Sequence, residues 1–513
     1  MSQPSQSTTT TKSLHSTLAD TRVDSRDDGL FVKTPPARSN PLIANLLVTA
    51  VVAIGTLTLP ATLYRGDPFA WQSEARSIIL RGEFNVPKSI AGIAGEPGQF
   101  FVLNHRNGKY YSKYGTLNGI LNVLPVLIGR LIGDNILSLG LFAVVLSAMI
   151  AYVLYDLTGY YTRAEWVRVA FVLLCFYTTY AWNYLRCTNS EATQWLFFLL
   201  AARSVIRLNR APKEEPFQFR SVAFLWLWTA CLCLTKISWL LLVPLLAGAL
   251  IYLARRNRIP RPRWPGFSWR AIILPAMLIC MVVAINNWAK FGAPWLTGYH
   301  QWHDSDPRID FLAAFRDLIL SPQWSFLICF PPLLLALPAW KRFWREHKEE
   351  GVFILAVFVV FLLLNILRGN WRGDWCYGPR YFLFILPFLA LPAVYMLEWA
   401  GQHIRRRTGY LTISTVLAAS LFFVIVQWQV IRMDWFFKYQ VQGDLVYVND
   451  PKLHEYFEHT HFAKINWDYW QARNDLTKIP YYDRIRQGLS PDQMENFRSN
   501  TQNYLSHPNL YWW

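Results

Sequence analysis

From Pro41 onward, long uncharged apolar runs alternate with short loops in which the basic residues gather. Runs long enough to cross a bilayer, or nearly so, cover Pro41–Tyr64, Ile136–Tyr155, Val169–Leu185, Ala271–Ala289, Ser321–Trp340, Gly351–Leu367, Tyr381–Leu397 and Thr408–Ile431, given that a span needs roughly 20 apolar residues. Ala192–Ile206 makes a shorter span interrupted by Arg203. Ser221–Ala254 is too long for one helix and carries Lys236 in its middle, so it reads as a tight hairpin of two helices. One piece does not fit. Leu117–Gly133, "LNGILNVLPVLIGRLIG", is short, contains Pro125 and Arg130, and would reverse the parity if it crossed, so it reads as re-entrant or juxtamembrane. The pattern predicts an all-α polytopic membrane protein of about eleven transmembrane helices, with juxtamembrane helices in the first outward loop.

Charge sets the orientation. The loop "RRNRIPRPRWPGFSWR" carries six Arg and no acid, "KRFWREHKEE" and "QHIRRR" are also basic, and "RSVIRLNRAPKEEPFQFR" is mostly so. All four fall on the side of the amino-terminal tail and are predicted to be cytoplasmic. Residues 1–40 are Ser/Thr-rich without an early apolar core, so they read as a disordered cytoplasmic tail and not a cleavable signal peptide. Residues 41–431 form the membrane domain, and residues 432–513, rich in Trp and Tyr, an extracytoplasmic region suited to the lipid interface. The predicted location is the inner, cytoplasmic membrane.

Composition narrows the class. A hydrophobic share of 53% with 24 Trp is not that of a soluble enzyme. A net charge of +17 would suggest nucleic acid in a soluble chain, but here it sits in loops between spans, where membrane lipids are the partner and nucleic acid is not. Of the seven Cys, Cys175, Cys231, Cys233, Cys280 and Cys329 lie inside apolar runs, and Cys187 and Cys376, in outward loops on the same side, read as two free thiols, with pairing as the alternative.

The outward loops hold the candidate chemistry. In "LYRGDPFAWQSEARSIILRGEFNVP", Asp67 and Glu74 are two helical turns apart and share one side of a helix. "NGKYYSKYG", Asn107–Gly115, sets Lys109 and Lys113 among tyrosines that include Tyr111 and Tyr114. The last outward loop, "RGNWRGDWCYGPRYF", offers Arg368, Arg372, Asp374 and Arg380. A carboxylate can take the proton of an acceptor hydroxyl while Lys or Arg holds the charge of a departing phosphate, without a metal when one phosphate is involved. A sugar carried on a lipid phosphate has this chemistry, with an oxocarbenium-like transition state that a nearby anion also helps. Asp67 and Glu74 are the candidate catalytic acids, Lys113, Arg380 and Arg372 the candidate phosphate ligands, and Tyr111 and Tyr114 candidate substrate contacts. No cofactor is expected, and a divalent metal is left open.

Each has a plainer reading. Asp67 before Pro68 can serve as a helix cap, Glu74 can pair with Arg76 or Arg81, and Lys113 and Arg380 can snorkel to headgroups. "YHQWHDSDPRID" matches no zinc or calcium site and reads as a polar loop, in which His303 and Asp304 can still touch an acceptor sugar. Glu191 and Lys236 are near-membrane charges, functional by default or helix-end anchors.

Taken together, the acid past the first helix, "GKYYSKYG", "CLTKISWLLLVPLLAGALIY" and "WRGDWCYGPRYFLFILPFLALP" resemble the GT-C glycosyltransferases, the membrane family that includes bacterial aminoarabinose transferases and protein mannosyltransferases. The similarity covers Pro41 to about Trp399. It implies a GT-C-like bundle and an inverting transferase that takes a sugar from a polyprenyl phosphate on the outer face and gives it to a glycan, lipid or protein acceptor. By position Asp67 matches the family's base and Lys113 its phosphate-contacting lysine, while Arg380 lies in the late Gly-Pro-Arg-Tyr pattern. The chain departs from the family in lacking adjacent acids and a Lys-Pro-Pro after the first loop. A transporter or lipid flippase is the alternative, disfavoured because the acids cluster in outward loops and no inverted repeat is visible. A ligase or polymerase with a lipid-diphosphate donor is the third reading, kept by the extra Arg in the first and last outward loops.

Overall fold

The computed structural model describes residues 39–61, 67–93, 100–211, 219–255, 267–299, 310–369, 371–373, 376–433, 437–445, 448, 450–506 and 510. Helix α1 (Pro41–Leu57) starts at Asn40, whose side chain accepts the Leu42 N–H at 3.0 Å, with proline at the first helical position. It stops short of the predicted Tyr64, where Thr58 Oγ1 turns back to the Ile54 carbonyl at 2.8 Å. Helix α2 (Asp67–Arg81) follows and leads into β1 (Asn85–Val86), α3 (Lys88–Ile93), β2 (Phe101–Asn104) and β3 (Lys109–Ser112). The strands form one antiparallel sheet in the order β1-β3-β2, with Tyr111 opposite both Asn85 and Val102. This small sheet is an addition to an otherwise helical chain. Its hairpin closes at Asn107-Gly108, where Gly108 has φ +68° and the Asn107 side chain accepts the Lys109 N–H, a turn signal that was present in the sequence.

Helix α4 (Thr116–Ile132) is the predicted re-entrant piece. At 17 residues it is about 26 Å long. It buries Asn118, Gly119, Asn122, Pro125 and Gly129 and exposes Leu124, Leu127, Ile128 and Leu131, as a helix lying against lipid does. Helix α5 (Asn135–Thr158) runs 24 residues from an Asp134 cap. The predicted span Val169–Leu185 is not continuous: α6 (Glu165–Tyr177) and α7 (Ala181–Leu185) are separated at Thr178–Tyr180, where Thr178 and Thr179 hydroxyls donate back to the Leu174 and Cys175 carbonyls. Helix α8 (Ser190–Arg210) is longer than predicted, because Arg203 does not interrupt it but reaches Asp156 at 2.7 Å.

The hairpin reading holds. Helix α9 (Phe219–Thr235) and helix α10 (Leu242–Arg255) flank a 3-10 turn, Ile237–Leu241, with Lys236 at the junction. Lys236 shares a cleft with Glu191 and Gln194 at one end of α8, while Leu245 and Leu253 share a groove with Val205 and Asn209 at the other. Beyond α11 (Phe267–Phe291) and α12 (Phe311–Leu320), the predicted span Ser321–Trp340 is also broken, into α13 (Phe326–Cys329), α14 (Pro332–Ala336), a 3-10 turn and α15 (Trp340–Glu346). Pro331, Pro332 and Pro338 account for the breaks. Helix α16 (Lys348–Leu367) is intact. The predicted span Tyr381–Leu397 becomes a 3-10 turn, Arg380–Phe382, then α17 (Leu386–Leu389) and α18 (Ala393–Gln402), interrupted at Pro387 and Pro392. Helix α19 (Arg407–Arg432) closes the membrane part.

Among the described residues, α5, α16, α19 and Arg270–Phe291 of α11 are long and apolar enough to cross a membrane, and α1, α4, Arg220–Thr235 and Ile237–Leu253 are shorter apolar helices. Three of the predicted spans are therefore interrupted helices. Among the described residues, the C-terminal part forms the helices α20 (Phe437–Asp444), α21 (Pro451–His459), α22 (Phe462–Gln471), α23 (Tyr482–Gly488) and α24 (Pro491–Ser506). They enclose a core of their own around Leu453, Phe457, Ile465, Ile485 and Phe497. Gln323 ties this unit to the membrane part by donating to the carbonyls of Phe457, Glu458 and Thr460 at 2.7–3.0 Å.

Candidate functional site

Five separate pieces of chain converge at one end of the bundle. The first turn of α2 carries Asp67, the β3–α4 turn carries Lys113 and Tyr114, and the start of α8 carries Glu191. The α9–α10 junction carries Lys236, and the 3-10 turn before α17 carries Arg380 and Tyr381. Glycines set the approach. A Cβ at Gly115 would overlap the backbone of Leu234 and Thr235, so only glycine lets the β3–α4 turn close on the hairpin tip. A Cβ at Gly378 (φ +70°) would lie 2.7 Å from the Tyr180 ring, so the loop ahead of Arg380 is likewise seated by a missing side chain.

Asp67 accepts a hydrogen bond from the Tyr114 hydroxyl on one oxygen and faces Arg380 Nη1 at 3.4 Å with the other. Neither oxygen is engaged by a backbone N–H among the described residues, so the cap reading of Asp67 is not the one realised. Burial, then the Asp67 charge, push the Tyr114 phenol well above its ordinary pKa, which keeps it a proton-bearing donor. Arg380 also lies 3.8 Å by Nε from Glu191 Oε1 and donates from Nη2 to the Tyr381 hydroxyl at 3.1 Å. Lys236 Nζ stands 3.9 Å from the centroid of the Tyr381 ring, so one tyrosine carries two cations. A cleft of about 410 Å³ opens between Glu191, Lys236, Asn365, Arg368, Arg380 and Tyr381. A second, of about 370 Å³, is lined by Lys113, Tyr114, Asn286, Asn287, Tyr299 and again Lys236. In it, Lys113 Nζ lies 5.3–5.8 Å from the rings of Phe100, Tyr114 and Tyr299.

The other predicted residues are placed differently. Glu74 is fully buried against α4, and its partner is Lys290 of α11 at 3.0 Å, not Arg76 or Arg81. Lys290 donates as well to the Tyr114 carbonyl at 2.9 Å, so Tyr114 is held by Asp67 directly and by Glu74 through Lys290. Burial raises the Glu74 carboxyl from 4.5 to about 7, against the opposing pull of Lys290. Arg372 turns to α12, with Nε and Nη2 at 2.9 and 2.8 Å from Asp317 Oδ2 and its guanidinium over Trp324, and it lines neither cleft. Tyr111 sits in β3 with its hydroxyl accepting from Asn107 at the hairpin turn. His303, Asp304 and Asp374 lie outside the described residues. Cys187 and Cys376 are buried thiols that form no disulfide. Among the described residues, no three His, Cys, Asp or Glu are grouped so as to hold a metal ion. Tyr381 and Lys290 escaped the sequence reading. Tyr381 is adjacent to a singled-out arginine, whereas the Lys290 pairing spans 216 positions and left no local signal.

The arrangement is two anions and a set of cations beside two polar clefts that share Lys236, at the end of an apolar bundle. It can orient a phosphate and accept a proton beside it. No protein-family model and no curated protein matches the chain. Among solved structures, it is similar to ArnT from Cupriavidus metallidurans in the apo state, at 12% identity and a TM-score of 0.48, covering 90% of this chain and 76% of that one. It is similar also to the archaeal oligosaccharyltransferase AglB from Archaeoglobus fulgidus in complex with an inhibitory peptide and a dolichol-phosphate, at 10% identity and a TM-score of 0.47, covering 85% of this chain and 63% of that one.

Proposed function

We propose that the chain is an integral membrane glycosyltransferase that moves a sugar from a polyprenyl-phosphate donor to an acceptor on the outer face of the cytoplasmic membrane, with inversion. The observation that carries this reading is the contact of Asp67 with Tyr114 and Arg380, and of Arg380 with Glu191, beside two clefts that share Lys236. The acceptor oxygen bonds to the anomeric carbon while the bond from that carbon to the phosphate oxygen breaks, and the acceptor proton passes to the Asp67 carboxylate. The departing lipid phosphate takes the bonding pair, and Arg380, Lys236 and Lys113 hold its charge. No bound cofactor enters these steps.

The roles divide by exposure. Asp67, partly exposed beside the cleft residues Tyr114 and Arg380, is the base, held by the Tyr114 hydroxyl. Glu74, sealed in its pair with Lys290, positions Tyr114 through the Lys290–carbonyl bond. The basic loops face the cytoplasm together with the tail of residues 1–40, residues 41–431 carry the reaction, and residues 432–513 lie outside.

The test is turnover of purified protein with a panel of polyprenyl-phosphate sugars, read by mass spectrometry, slow hydrolysis included. Asp67→Asn is expected to fold and bind donor but lose about 10²–10⁴-fold in rate. Full activity in that variant removes Asp67 from the mechanism, and no turnover on any donor returns the transporter reading.

A further inference from the structure

We propose that the crevice between α6, α18 and α19 is a binding site for an anionic phospholipid, its headgroup on the arginines of the α18–α19 turn and its acyl chains between the helices. Helix α19 is 26 residues long and apolar, yet it buries only Gly409, Gln427, Val430 and Ile431. Between it and α6 runs a crevice of about 1750 Å³ walled by side chains such as Ala170, Leu174, Met396, Ile413 and Val416. Along α19 it extends from Thr412 to Val424, about 18 Å at helical rise. That is close to one leaflet of a hydrocarbon core about 30 Å thick. The crevice has the depth for acyl chains of one leaflet and not for a span.

Its two ends differ. At one end Trp182 packs near Trp428, with ring centroids 6.3 Å apart. At the other end only glycine fits at position 401, because the Trp166 ring occupies the space of a Cβ. That contact brings the start of α6 onto the α18–α19 turn. Arg163, Arg405, Arg406 and Arg407 are all exposed there. Of the nearby acids, Glu165 pairs with Arg168 at 3.2 Å and accepts from Tyr155, and Arg342 pairs with Glu346 at 2.8 Å. A tryptophan beside the arginines, cations that make no ion pair among the described residues and an apolar slot one leaflet deep match a negatively charged two-chain lipid.

Native mass spectrometry of the full chain, titrated with dioleoyl phosphatidylglycerol and dioleoyl phosphatidylcholine, tests this. The wild type should retain phosphatidylglycerol preferentially. The exposed triple variant R405Q/R406Q/R407Q should lose roughly fivefold of that preference per arginine, or about a hundredfold in all. V416W, which fills the slot, should release both lipids. Equal retention of the two lipids by the wild type overturns the proposal, and so does a preference that survives the triple variant. A lipid-free dimer that V416W converts to monomer assigns the crevice to a second copy of the chain and also overturns it.

Discussion

Lys236 is the residue at which activity and stability should part. It lies at the junction of α9 and α10, outside both helices, and lines both clefts. Burial lowers its pKa from 10.5 to about 8, with Arg380 and Arg368 acting in the same direction and Glu191 and Asp67 against it. A lysine whose folded value is depressed leaves stability intact above its unfolded value, and stability is lost as pH falls toward the folded value. The drop corresponds to ~3.4 kcal/mol at neutral pH. Lys236 keeps part of its surface open to the clefts, so roughly 1–3 kcal/mol remains after solvent screening. K236M should therefore be more stable than the wild type by that amount near neutral pH, and the gain should vanish above 10.5. Donor binding should move the other way. A charged hydrogen bond to phosphate contributes about 1.5–3 kcal/mol, or about 10–150-fold in affinity. The wild-type donor KM should rise as pH passes about 8, while that of K236M should be high and flat. Denaturant unfolding and donor KM across the pH range measure both arms. A variant that loses stability near neutral pH and keeps the wild-type KM profile refutes the reasoning.

Two further changes probe the frame. Glu350 is buried at the start of α16 and receives Arg210 Nε and Nη2 at 2.8 and 2.7 Å, the Tyr161 hydroxyl at 2.8 Å and Asn209 at 3.2 Å. E350Q leaves the Arg210 charge buried without its counterion and should cost about 3–5 kcal/mol in unfolding free energy, most of it recovered in R210M/E350M. G298A places a Cβ into the backbone of Lys113. It should cost about 1–3 kcal/mol and raise donor KM more than it changes kcat, which steady-state kinetics over a donor series will show.

The intact spans were legible because length and apolarity decide them: α5, α16 and α19 lie within a few residues of the predicted runs. Two of the broken ones were misread because a count of apolar residues is blind to proline, and Pro331, Pro332, Pro387 and Pro392 sat in plain view inside them; the third, Val169–Leu185, breaks without proline at Thr178–Tyr180. Asp67 and Arg380, 313 positions apart, could be placed in the same outward loops but not in contact. Glu74 shows the limit. Its sequence neighbours Arg76 and Arg81 were the natural partners, yet Arg81 turns to Ser77 and Asn85, and the real partner stands at the end of a distant apolar helix. Arg372 failed for the same reason, since Asp317 lies in α12 and no local pattern points to it.

The breaks also explain why Arg380 reaches the cleft. Irregular backbone at membrane depth persists only where protein or a cavity satisfies its polar groups. Here the interruptions satisfy one another. The Tyr180 N–H, at the α6–α7 break, donates to the Cys329 carbonyl at 3.1 Å, at the end of α13. The Tyr180 hydroxyl donates to the Pro379 carbonyl at 3.1 Å, and the Tyr184 hydroxyl to the Tyr377 carbonyl at 2.9 Å. Three interrupted segments thus form one knot, and Arg380 is the first residue to leave it. A regular helix through this stretch would bond its own carbonyls internally, and nothing would then fix the direction of Arg380 toward Asp67. The two buried tyrosines, bonded to the Pro379 and Tyr377 carbonyls, fix the turn just ahead of Arg380 and so aim the guanidinium.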